Sequence, residues 1–243
     1  MKDLKTICFV ILAATQLSAQ DTLKIEYKDG IISGYFIEPY TNSWNVYLQS
    51  PDGSENQIRY WTDYAQIIVQ NGVNILHRVQ DLYSPDGSLQ STWINVVEQE
   101  SLHPIKFATH APNGALFFLE FETGRVITRS NQNEEGTYRS DTSLVSSQLY
   151  DWNLYGMLLI GLPFGEGKVF QFDYWNIQNN SQASLYATIG PEVDVETLSG
   201  EKVKTREIST SDGFTFSLSK KAPYVIKLVW DLPNGSKMIW RKI

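Results

Sequence analysis

Residues 73–98 read VNILHRVQDLYSPDGSLQSTWINVVE, and this stretch decides the fold. Two runs rich in β-branched and aromatic residues, Val73 to Tyr83 and Leu89 to Glu98, flank Ser84-Pro85-Asp86-Gly87-Ser88. Proline presets φ at the first central turn position, and an Asx-Gly pair accepts the positive φ that tight hairpins need. The stretch predicts two long antiparallel strands joined at Gly87.

The same chemistry recurs on both sides of it. Ser50-Pro51-Asp52-Gly53, Pro112-Asn113-Gly114 and Pro233-Asn234-Gly235 repeat the proline form, while Asp29-Gly30, Asn71-Gly72 and Asp212-Gly213 lack the proline. The chain reads as a series of antiparallel hairpins. Asp29-Gly30 is expected to turn a first strand into a second, Ile31 to Glu38. That run has no polar face, so it reads as a strand covered on both sides. In Ala115 to Glu122, Phe117, Leu119 and Phe121 share one face, while Phe118, Glu120 and Glu122 share the other. Asn131 to Tyr138 is polar and reads as an exposed loop.

One segment departs from the period of two. Between Asp151 and Leu162, the residues Tyr155, Leu158, Leu159 and Leu162 recur at helical spacing. Asp151 can cap the start, and Gly161 with Pro163 marks the end, so a short helix is predicted. The strand pattern resumes at Lys168 to Phe172 and runs to the end.

Residues 1–20 read as a secretory signal: Lys2 and Lys5, an apolar run from Ile7 to Leu17, then Leu17-Ser18-Ala19 as a cleavage site. The run is shorter than the roughly 20 residues a membrane span requires. No transmembrane segment is expected after its removal, and the location implied is periplasmic or extracellular. Cys8, the one cysteine, lies inside this run, so the mature chain carries neither disulfides nor thiol chemistry. Residues 21–243 suit one all-β domain, with a hydrophobic fraction of 42% available to fill its core. The formal net charge is -7; losing Lys2, Asp3 and Lys5 with the signal removes two positive charges and one negative, giving -8. An acidic chain without a basic cluster disfavours nucleic acid as a partner.

Catalytic motifs are not evident. His77, His103 and His110 lack metal-ligand spacing, and no Gly-x-Ser-x-Gly elbow is present. No cofactor is implied. Glu98 with Glu100, and Glu120 with Glu122, are same-face carboxylate pairs of the kind acid–base hydrolysis uses, although such pairs ordinarily mark a solvated strand face. Trp44, Tyr60, Trp61, Trp93, Trp152, Trp175, Trp230 and Trp240 could line a ligand cavity, stack on sugars, or simply fill the core.

The order of these features resembles a group of uncharacterised exported bacterial β-domains, similar in shape to periplasmic lipoprotein carriers. Glu100-Ser101-Leu102-His103-Pro104, Asp151 to Pro163 with Gly167 to Phe172, and Pro223-Tyr224-Val225-Ile226-Lys227 carry the likeness. The resemblance implies a mainly β fold: a strongly curved antiparallel sheet, an incompletely closed barrel, with one short helix on its concave side. The functional expectation is a non-enzymatic exported protein holding an apolar or amphipathic molecule, a lipid or lipidated peptide, in that concavity. Its candidate lining is Trp93, Phe117, Phe121, Trp152, Tyr155, Met157, Leu158, Leu159 and Leu162. The rivals are a carbohydrate-binding module with outward tryptophans, a hydrolase using a glutamate pair, and a module that captures an envelope protein through an edge strand.

Overall fold

The computed structural model describes residues 22–26, 29–132, 136–177 and 179–243. The signal segment lies outside the described residues, as do residues 133–135 within the polar stretch read as a loop.

All seven Asx-Gly glycines take positive φ, between +73° and +91°. The four proline-led turns share one hydrogen-bond pattern. In each, the glycine N–H donates to the carbonyl three residues earlier, on Ser50, Ser84, Ala111 or Leu232, at 2.9–3.0 Å. The Asx Oδ1 accepts the N–H two residues on, from Ser54, Ser88, Ala115 or Ser236, at 3.0 Å. Such turns bring the flanking strands into antiparallel register.

Two meanders result. The first comprises β2 (Tyr40–Gln49), β3 (Glu55–Gln70), β4 (Val73–Tyr83), β5 (Leu89–Glu98), β6 (Pro104–His110), β7 (Leu116–Glu122), β8 (Arg125–Asn131) and β9 (Arg139–Leu144). The second comprises β11 (Val169–Asn176), β12 (Ser181–Glu196), β13 (Lys202–Thr210), β14 (Phe214–Leu218), β15 (Val225–Asp231) and β16 (Lys237–Lys242). They join where β16 pairs with β2, from Lys237 opposite Gln49 to Lys242 opposite Trp44. β1 (Thr22–Lys24) and β10 (Tyr150–Asp151) both run parallel to β11 on its outer edge. The result is one large, strongly curved sheet that does not close into a barrel. Twisted sheets beyond about ten strands curl, and the register shifts at Val46/Tyr47, Leu82/Tyr83 and Val96/Val97 add local bends.

A 3-10 turn (Trp152–Leu154) and α1 (Tyr155–Ile160) carry the chain back between the meanders along the concave side. Asp151 caps this segment, accepting the Asn153 N–H at 2.9 Å. The helix ends at Gly161. Every residue of α1 is buried, and its apolar side chains join a core with Phe170, Phe172, Leu185, Ile208 and Leu218. A second cluster, Phe107, Leu119, Phe121, Val126, Leu149 and Trp175, lies under the wing of β5 to β8.

One expectation is corrected. Ile31 to Glu38 is not a strand, and Asp29-Gly30 does not turn a hairpin. Asp29 instead ties a loop, accepting N–H bonds from Glu26 and Ile31 at 2.8 Å. The segment is an irregular strap: Gly34 N–H donates to the Glu100 carbonyl at 2.9 Å, Gln99 Nε2 to the Ile37 carbonyl at 2.9 Å, and Glu38 N–H to the Tyr224 hydroxyl at 2.8 Å. Ile32 and Ile37 are buried, so the absence of a polar face reports coverage without a ladder. β9 was not anticipated from the sequence; it has no apolar face and is mostly exposed, as an edge strand can be. Periodicity cannot find such a strand.

Candidate functional site

Where the two meanders meet, cross-strand register aligns their inward side chains. Phe216, Leu228, Trp240, Val46 and Arg59 form one row across β14, β15, β16, β2 and β3. Phe214, Trp230 and Met238 form the next. Trp44 faces Trp61 across β2 and β3, and Asp63, Gln80 and Trp93 continue through β3, β4 and β5. The inserted segment closes the far side with Trp152, Asn153, Tyr155 and Gly156. Gly156 permits that approach, since a Cβ there would stand 2.8 Å from Val225 Cγ2.

Between these walls lies a hollow of about 380 Å³, within the roughly 300–1,000 Å³ typical of small-molecule sites. Six of the seven tryptophans line it: Trp44, Trp61, Trp93, Trp152, Trp230 and Trp240. Trp240, Trp61, Trp93, Trp152 and Tyr155 form a chain of tilted and edge-to-face contacts, with ring centroids 5.5–6.3 Å apart. Phe214 and Trp230 stack at 5.0 Å and 12°. Edge contacts of this kind hold each ring in one orientation.

The floor is polar and densely bonded. Arg78 Nε donates to both Asp63 carboxylate oxygens at 3.0 and 3.1 Å, and Nη2 to Oδ2 at 2.7 Å. Arg78 Nη1 donates to the Asn153 carbonyl at 2.8 Å, and the Tyr40 hydroxyl to Asp63 at 3.2 Å. The Gln80 amide oxygen accepts from Asn153 Nδ2 at 2.8 Å; turned over, it would instead face Trp61 Nε1 (3.3 Å) and Arg78 Nη2 (2.8 Å) and give those two donors an acceptor. Asn153 Nδ2 donates to Asn95 at 2.9 Å, and Asn95 Nδ2 donates to Asp151. The strands thus pin the inserted segment through Asn153.

Electrostatics follow from this bonding. Burial opposes charge on Arg78, but Asp63 beside it outweighs that, so its affinity for the proton rises. Burial pushes Asp151 up to about 6, against the hydrogen bonds from Asn153 and Asn95. Burial also raises the Tyr155 hydroxyl far above the usual phenol value.

Of the residues proposed from sequence, Trp93, Trp152 and Tyr155 meet at the hollow. Met157, Leu158, Leu159 and Leu162 sit in solid core, exposed by 1% or less. Phe121 belongs to the second cluster, with Phe117 packed against it. The floor residues Asp63, Arg78 and Gln80 were not among them, although strand phase carried the signal: Asp63 shares the buried face of Trp61 and Ala65, and Arg78 and Gln80 that of Leu76 and Leu82. The same-face glutamates stand elsewhere: Glu120 pairs with Arg129 at 2.7 Å and Glu122 with Arg125 at 2.5 Å. Among the described residues no group of His, Cys, Asp or Glu is disposed to hold a metal, and no helix is long and apolar enough to cross a membrane.

No family model matches this chain, and no curated protein matches it. Among solved structures it is similar to a chain described as a "putative lipoprotein" from Parabacteroides distasonis, with 9% identity and a TM-score of 0.35, over 87% of this chain and 97% of that one.

Proposed function

We propose that this chain is an exported, non-enzymatic binding protein that holds an apolar or amphipathic molecule in the tryptophan-lined hollow. One observation carries the reading: six tryptophans from β2, β3, β5, β15, β16 and the inserted segment turn inward onto a single space. Large planar rings dominate binding energetics where they face a cavity, and here they surround a floor whose polar groups are already paired. Export rests on Lys2, Lys5 and the apolar run that follows them. A carbohydrate module would present its rings outward, yet no tryptophan is among the exposed large apolar side chains of the described residues.

Native mass spectrometry of the protein taken from the cells that make it tests the proposal. A copurified amphiphile, lost when Trp152 and Trp240 are both changed to alanine, is the expected result. A clean apo mass, together with tryptophan fluorescence unmoved by decanoate, decanol or decyltrimethylammonium, would overturn it.

A further inference from the structure

The charges on the lining of the hollow are lopsided, although Asp212 stands near enough to act on Tyr155 from behind the wall. Its lining contains two arginines, Arg59 and Arg78, and no carboxylate. Arg78 is neutralised by Asp63 beneath it. Arg59 is different: it stands exposed at the mouth, on the inward row beside buried Val46. β3 carries two acidic side chains, and each is already taken by another arginine in a two-point bond. Asp63 is held by Arg78, and Glu55 by Arg241, whose Nη1 and Nη2 reach its two oxygens at 2.7 Å. Among the described residues Arg59 makes no ion pair. In a chain with 27 acidic and 20 basic side chains, an arginine left without a carboxylate at the edge of an apolar space is a recognition group in waiting.

We infer that the hollow selects an amphiphile with an anionic head, seated against Arg59, and a single apolar chain among the tryptophans. This rests on the ligand-binding reading above and narrows it. A guanidinium offers paired N–H donors that match a carboxylate, and such charge-assisted bonds are about twice as strong as neutral ones. The uncompensated positive charge disfavours a cationic head, which sets this hollow apart from the aromatic cages that hold quaternary ammonium groups. Size sets the chain: with each water-sized unit taking about 30 Å³, 380 Å³ admits roughly a dozen heavy atoms. Decanoate has that size.

The test is a tryptophan-fluorescence titration with decanoate, decanol and decyltrimethylammonium, each below its micelle threshold. Wild type, Arg59→Gln and Arg59→Lys are compared, with folding checked by circular dichroism. Decanoate should bind about tenfold more tightly than decanol. Arg59→Gln should bring the acid down to the alcohol's affinity and leave the alcohol unchanged, and Arg59→Lys should keep part of the preference. Rising salt should weaken decanoate only. Equal binding of all three probes, tighter binding of the cation, or an acid preference that survives Arg59→Gln would overturn the anionic-head inference while leaving the hollow a binding site. Should none of the three bind wild type, both readings fall.

Discussion

The inserted segment has two halves that sequence periodicity treats alike and the fold treats differently. Trp152, Asn153, Tyr155 and Gly156 border an open space, whereas Met157, Leu158, Leu159 and Ile160, immediately following, are at 0% exposure in solid core. The difference lies in what stands opposite. The first half meets interlocked indole rings and an arginine–aspartate pair bonded on several sides, none of which can spread to fill a gap. The second half packs into the core cluster that holds Phe170, Phe172, Leu185, Ile208 and Leu218, and the strap lies over its end, where a Cβ on Gly161 would come within 3.0 Å of Ile32. Apolar side chains free of bonds settle into close packing; rings locked edge to face and an ion pair bonded on several sides do not. A hollow persists in this protein because its walls are rigid.

That contrast can be broken most forcefully from beneath. Asp63→Ala leaves Arg78 charged and buried and removes the acceptor of the Tyr40 hydroxyl; it should cost about 3–5 kcal/mol in urea unfolding. A smaller loss would mean that water already reaches the floor. In the solid half, Leu158→Ala should cost about 3 kcal/mol by opening a cavity, with decanoate affinity unchanged. A change in affinity would show that the two halves are not separate.

A third experiment uses pH. Because Asp151 rises from 3.8 to about 6 on folding, the native state holds a proton that the unfolded chain has released between those values. Its contribution to stability is therefore greatest below about pH 4, declines as pH rises toward 6, and is absent above that. Asp151→Asn should remove that decline, narrowing the difference between the urea-unfolding free energies at pH 4 and pH 7 by about 2–3 kcal/mol. Asp212, also raised by burial, acts in the same direction in both proteins and cancels in the comparison. An unaltered profile would place the carboxyl's proton affinity elsewhere. The smallest effect belongs to Trp152→Leu. This half-buried ring should cost only about 1 kcal/mol, yet decanoate binding should weaken at least tenfold as the wall becomes deformable. Unchanged binding would remove Trp152 from the site.

Much of this was legible in the chain, and the exceptions share a cause. Pro51-Asp52-Gly53 and its three counterparts could be read directly, because each turn closes bonds within five residues. Asp151 and Gly161 bounded the helix for the same reason. Ile31 to Glu38 misled, since an apolar run reports burial and is silent on whether a strand lies alongside. Arg139 to Leu144 went unseen because an exposed edge strand needs no alternation. At the site, Trp93, Trp152 and Tyr155 were in view, but Asp63 and Arg78 required asking which polar residues keep the phase of their buried neighbours. Met157 to Leu162 shared the helical stripe of Tyr155 and were grouped with it, although helical spacing cannot tell a dry contact from a wall.

Sequence alone determined where the four proline-led hairpins turn, that the chain folds into antiparallel ribbons, and that one short helix interrupts them. Those features rest on contacts between residues a few positions apart. Only the tertiary structure decided that β16 would lie beside β2, setting Trp240 opposite Val46 and next to Trp44 and Trp61. The hollow exists because that seam lays residues 237–242 against residues 44–49, and pairing over so long a separation depends on the shape of the whole curved sheet.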